Sequence, residues 1–175
     1  MVGSILKNIK ILVADDSPHT LILLKSSLLS LGCEQVKEAT SGDEVLKVIS
    51  YFKPDILICD WKMHPMDGIE LAKKIRMGED SENPFLPIIM ISGYPEPEVI
   101  RYAKDAGVDA FIPKPVTKEI LLEHIKTVLA NPRPYVRTPS YFGPDRRDRQ
   151  EFFDGEDRRK AGVQTIVPKG KRIKL

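Results

Sequence analysis

Three carboxylates and one amine fall where apolar runs end: Asp15 and Asp16 after the run at 10–14, Asp60 after 55–59, and Lys114 after 109–113. If these runs are parallel strands of one sheet, their carboxyl ends gather the four groups into a single pocket. Such an oxygen-rich pocket suits Mg2+, a hard cation that takes one or two carboxylates and completes its shell with substrate oxygens and water. Asp60 is then free to act as a nucleophile, as carboxylates do in aspartyl-phosphate chemistry. The constellation points to a site for Mg2+ and a phosphoryl group.

The pattern of hydrophobic residues supplies the strands. Ile9–Ala14 reads as a buried strand, and Ser17-Pro18 provides an N-cap with proline at the first helical position. The helix that follows carries Leu21, Leu24, Leu28 and Leu31 on one face and ends at Gly32. Gln35–Ala39 is a weaker strand. Ser41-Gly42-Asp43 opens a second helix, which Pro54 closes before the strand Asp55–Cys59. Further on, Asp67-Gly68 precedes a helix through Arg76, Pro87–Ile91 is a fourth strand and Pro97–Asp105 a fourth helix. Val108–Ile112 is the fifth strand, and Thr117–Leu129 the fifth helix. Five strands alternating with five helices require a parallel sheet covered on both faces, a doubly wound α/β fold with right-handed crossovers. Ligands of such sheets bind beyond the carboxyl ends of the strands, where the acidic cluster lies.

Charge divides the chain in two. Residues 1–130 carry 15 Lys and Arg against 19 Asp and Glu, whereas residues 131–175 carry 12 against 6. A domain over 1–130 with a basic, Pro- and Arg-rich extension over 131–175 is the expected organisation. Pro132, Pro134, Pro139 and Pro144 interrupt the extension, so it is expected to be irregular. It holds a degenerate repeat, Tyr141-Phe142-Gly143-Pro144-Asp145-Arg146-Arg147 echoed by Phe152-Phe153-Asp154-Gly155-Glu156-Asp157-Arg158-Arg159, and ends in a short basic tract. No signal-peptide pattern or spanning apolar stretch is present, so a cytoplasmic location and no membrane role are expected. Cys33 and Cys59 lack metal-ligand spacing, and Cys59 reads as a small buried hydrophobe. On a strand its side chain faces away from that of Asp60. His19, His64 and His124 form no ligand pair and read as surface residues.

Four motifs in order, Val13-Ala14-Asp15-Asp16-Ser17, Asp60 through Gly68, Met90-Ile91-Ser92-Gly93 and Phe111-Ile112-Pro113-Lys114-Pro115, closely resemble a response-regulator receiver domain of two-component signalling. The resemblance spans residues 9–130 and implies a flavodoxin-like sheet of order 2-1-3-4-5. It implies that Asp60 is the phosphoacceptor, attacking a phosphohistidine on a kinase or phosphotransfer protein, or a small acyl phosphate. Asp16 would bind Mg2+ directly, Asp15 through water, and Asp60 and the Lys62 carbonyl would complete the protein ligands. Lys114 would neutralise phosphoryl charge, with Lys114-Pro115 a cis peptide. Ser92 takes the hydroxyl switch position and Phe111 the switch aromatic, although Phe111 without the motif reads as a core aromatic on a strand. Lys62 and Tyr94 occupy the positions that tune attack of water on the acyl phosphate. Neither offers a carboxamide or acid, so slow self-dephosphorylation is expected, with solvated side chains as the alternative account.

The function expected is a phosphorylation-controlled switch whose output is protein binding, with self-phosphorylation and self-dephosphorylation as its only catalysis. A downstream protein would be the target, and a homodimer could use the face of the fourth helix, fifth strand and fifth helix, or the tail. A rival reading gives the basic tail a nucleic-acid role, from its charge and its Arg pairs near aromatics. Acidic residues precede each Arg pair, which favours docking of the tail through Phe142, Phe153, Arg146 and Arg158 on folded protein.

Overall fold

The computed structural model describes residues 5–78, 81–146 and 164–168. Five strands, β1 (Lys10–Ala14), β2 (Gln35–Ala39), β3 (Ile56–Asp60), β4 (Ile88–Ser92) and β5 (Ala110–Pro113), alternate with five helices. The helices are α1 (Pro18–Ser30), α2 (Gly42–Phe52), α3 (Gly68–Met77), α4 (Pro97–Asp105) and α5 (Lys118–Ala130). The sheet order is β2-β1-β3-β4-β5, all parallel, as the doubly wound reading requires. Ile, Leu and Val dominate β1, β3 and β4 because these central strands are buried on both faces.

Alternation along each strand divides the core. Ile11, Val13, Ile56, Ile58, Ile89 and Ile91 pack with α1 and α5 through Leu21, Leu28, Leu121 and Ile125. Leu12, Leu57, Cys59, Ile88 and Met90 point the other way, onto α2 and α3 through Val45, Ile49, Leu71 and Ile75. Cys59 is buried in that second layer, on the face opposite Ile58.

The extension departs from the irregular structure expected of it. Tyr135–Thr138 (β6) and Tyr141–Pro144 (β7) form an antiparallel hairpin, and Gln164–Ile166 (β8) adds to the other edge of β6. The prolines delimit this sheet: Pro139 lies in the turn between the strands, and Pro144 ends β7, an outer strand of the sheet. Proline at an edge strand or its end sacrifices no ladder bond.

Candidate phosphoacceptor site

Each acidic residue is held by the loop that follows its strand. The Asp15 N–H donates to the Ala39 carbonyl at 3.2 Å, and its Oδ1 accepts from Ser17 N–H at 2.8 Å. Ser17 in turn caps α1, with Pro18 at the start of the helix. Asp15 is buried, whereas Asp16 is exposed at the rim. Asp60 ends β3 and is also buried. Behind it, Trp61 N–H donates to the Ile91 carbonyl and Gly68 N–H to the Trp61 carbonyl, both at 2.8 Å. Asp67 caps α3 by accepting from Glu70 N–H at 2.8 Å. Gly68 must be glycine for this turn, since a Cβ there would lie 2.4 Å from the Asp60 carbonyl oxygen.

Lys114 reaches from the end of β5 to both buried acids. Its Nζ is 2.6 Å from Asp60 Oδ1 and 3.3 Å from Asp15 Oδ2. Burial pushes the Asp60 carboxyl above its ordinary value and Asp15 adds to that, while the hydrogen bond and charge of Lys114 oppose it. Burial also works against the Lys114 ammonium, but the contacts with Asp60 and Asp15 outweigh it and raise its pKa. The Lys114–Pro115 peptide is cis, as is His64–Pro65, which no sequence signal had marked.

Ser92 ends β4, is buried, and accepts from Tyr94 N–H through its Oγ at 2.9 Å. Its carbonyl accepts from Lys114 N–H at 2.8 Å, so the loops after β4 and β5 are tied together. Phe111, opposite Met90 in the ladder, is half-buried and lines a cavity of about 530 Å³ between α4 and α5. The Lys62 Nζ lies 3.7 Å from the centre of the Tyr94 ring and 5.3 Å from that of Trp61, whose rings meet edge to face. Lys62 and Tyr94 are thus joined in one cation–π contact beside Trp61.

Among the described residues no three His, Cys, Asp or Glu side chains are gathered as a ready metal cage. Asp15 and Asp60 nevertheless bring two carboxylates against one ammonium, with Asp16 exposed next in the chain to Asp15. That excess of negative charge on oxygen donors fits a hard divalent cation whose remaining ligands are water and substrate.

The tail residues divide. Phe142 is buried, 5.0 Å from the Phe85 ring and 5.5 Å from that of Tyr135. Arg146 pairs with Asp105 and its guanidinium lies 4.3 Å from the centre of the Tyr141 ring. Phe153 and Arg158 lie outside the described residues. Beneath the hairpin is a pair that the sequence did not reveal. The buried Arg76 donates to the carbonyls of Gly107 at 3.0 Å, Pro84 at 2.9 Å and Leu86 at 2.7 Å, and to Asp109 Oδ2 at 2.9 Å. The Tyr135 hydroxyl closes this network against the Phe85 carbonyl.

A five-stranded doubly wound sheet with buried aspartates and a lysine at its carboxyl edge defines a class of signalling module. The family profile for the response regulator receiver domain matches residues 11–126, and the chain belongs to that family. It is 35% identical over 122 residues to chemotaxis protein CheY-3 of Vibrio cholerae, covering 70% of this chain and 92% of that protein. It is 39% identical over 121 residues to CheY1 of Helicobacter pylori, with 69% and 96% covered. Among solved structures, a putative response regulator from Chloroflexus aurantiacus superposes with a TM-score of 0.64 at 30% identity, covering 70% of this chain and 98% of the other. CheY4 of V. cholerae gives 0.63 at 31%. The chain is a two-component response regulator, a signalling protein of a family that generally binds Mg2+ at the phosphorylation site. No helix among the described residues is long and apolar enough to cross a membrane.

Proposed function

We propose that Asp60 accepts a phosphoryl group from a histidine kinase or phosphotransfer protein, and that the acyl phosphate switches the binding of a downstream protein. The observation that carries this reading is the Lys114 ammonium held between Asp60 and Asp15. In the reaction an Asp60 carboxylate oxygen attacks phosphorus, the bond from phosphorus to the donor breaks, and its electron pair leaves with the donor. Phosphoryl transfer depends mainly on positioning and on neutralising oxygen charge. Lys114 supplies that charge from one side, exchanging its contact with Asp60 for one with a phosphoryl oxygen.

Asp15, Asp16, Asp60 and the Lys62 carbonyl would hold Mg2+, which would neutralise phosphoryl oxygens from the other side. Ser92 donates a hydrogen bond from its hydroxyl to the phosphoryl group, drawing in the β4–α4 loop. Phe111 follows into the space between α4 and α5, and the face of α4, β5 and α5 becomes the output or homodimer surface. The Lys62–Tyr94 bridge obstructs water and slows hydrolysis. Residues 1–130 act as the receiver and 131–175 as its appendage, in the cytoplasm. Engagement of Arg146 by Asp105 and Tyr141 favours docking of the extension over nucleic-acid binding. Labelling by acetyl phosphate with Mg2+ tests the acceptor: it should vanish in Asp60→Asn, and undiminished labelling would overturn the assignment.

A further inference from the structure

The β6–β7 hairpin grips the end of the sheet opposite the acceptor site. Phe142 seats its ring edge-on against Phe85, just before β4, and Tyr135 stands 5.2 Å from the same ring. At the α4–β5 corner Gly107 has a φ of +87°, and a Cβ on Gly143 would lie 2.9 Å from its Cα, so the backbones of the hairpin and the corner touch. The carbonyl of Gly107 is held by Arg76 of α3, and Asp109 Oδ2 accepts from both Arg76 and Ile88 N–H. Arg146 pairs with Asp105, the last residue of α4. Besides α3, the hairpin touches the end of α4 and the segments that lead into β4 and β5, and these run on to the switch: β4 ends in Ser92, Phe111 lies two residues beyond Asp109, and Lys114 follows β5.

We propose that the docked hairpin restrains the phosphorylation switch, stabilising the arrangement of α4, β4 and β5 adopted without a phosphoryl group. Packed interfaces of this kind have discrete arrangements and do not deform continuously. A shift of α4 or β5 relative to α3 has to break the Arg76–Gly107 bond or open the Gly107–Gly143 contact. Coupling between two sites is reciprocal, so a phosphoryl mimic loosens the hairpin by the factor that hairpin release tightens the mimic. The proposal rests on Asp60 as the acceptor.

The test uses the full-length chain with Mg2+ and beryllofluoride. Binding is followed by the fluorescence of its single tryptophan, Trp61, which adjoins Asp60. Phe142→Ala and Arg146→Gln should each lower the half-saturating beryllofluoride concentration at least threefold. Saturating beryllofluoride should speed amide exchange across residues 135–144 of the unaltered protein. Midpoints within twofold of the unaltered protein, in variants whose exchange shows the hairpin released, overturn the proposal. Should Phe142→Ala fail to fold, Arg146→Gln and the exchange measurement decide, and unchanged exchange at 135–144 also overturns it. If the unaltered chain does not bind beryllofluoride, the acceptor assignment itself falls, an outcome distinct from binding with unshifted midpoints.

Discussion

The Lys114 ammonium sits 2.6 Å from Asp60 Oδ1, so the group that neutralises the phosphoryl oxygens already neutralises the nucleophile. Asp60 nevertheless keeps a pKa above the ordinary 3.8, because burial outweighs the ion pair. Without metal the Asp60 carboxyl therefore holds its proton to higher pH than a solvated aspartate, and Mg2+ against the same oxygens should draw that titration back down. Lys114→Ala removes the opposing cation and should move the metal-free titration of Asp60 to higher pH, which carboxyl-carbon NMR across a pH series without Mg2+ will show. The same sign governs stability: the folded protein holds this proton more tightly than the unfolded chain, so ionised Asp60 costs stability as pH rises. Asp60→Asn should therefore melt higher than the unaltered protein at neutral pH.

Metal affinity should be modest, in the millimolar range, since the proposed site keeps waters around the ion. Asp16→Ala should remove Mg2+ binding, followed by Trp61 fluorescence, while leaving the melting temperature nearly unchanged, because Asp16 is exposed. Retained affinity in that variant would place the ion elsewhere.

Lys62→Asn replaces the cation bridging to Tyr94 with a carboxamide that can orient water. The acyl phosphate should then hydrolyse faster by on the order of tenfold, equivalent to about 1.4 kcal/mol of barrier. Decay of the labelled protein after removal of acetyl phosphate measures it.

Gly68→Ala introduces a methyl group 2.4 Å from the Asp60 carbonyl oxygen. The turn must shift and carry Asp60 with it, so labelling should slow markedly while Mg2+-independent folding, read by circular dichroism, survives. Misplacement of a reacting group by about 1 Å can cost roughly a hundredfold in rate.

Arg76→Leu leaves Asp109 buried without its cation and three carbonyls without their donor. Breaking a buried pair in this way costs about 3–5 kcal/mol, to be read from urea denaturation.

The sheet was legible because β1, β3 and β4 are largely apolar runs, and the meeting of Asp15, Asp60 and Lys114 because these residues stand at or just past the ends of β1, β3 and β5. Boundaries drifted where bonds that end a helix took over. The fifth strand was expected from Val108, yet Val108 N–H donates to Ala103 and helps close α4, so pairing begins at Ala110. The extension reads as irregular because Pro132, Pro134, Pro139 and Pro144 look like breakers, whereas they sit in and around a hairpin whose strands are only four residues long. Arg76 was invisible for a different reason. At the end of an amphipathic helix an arginine normally stays in water, and its partner Asp109 lies 33 positions away.

Receivers are commonly pictured as portable cassettes that can be excised and fused to new outputs. Here the buried Arg76–Asp109 pair is covered by Tyr135 and the Phe85 ring by Phe142, so a chain cut after Ala130 would lay bare an ionic centre and the Phe85 ring together. The smallest transplantable unit therefore runs at least to Arg146, and a chimera joined at the end of α5 would inherit a wound rather than a clean edge.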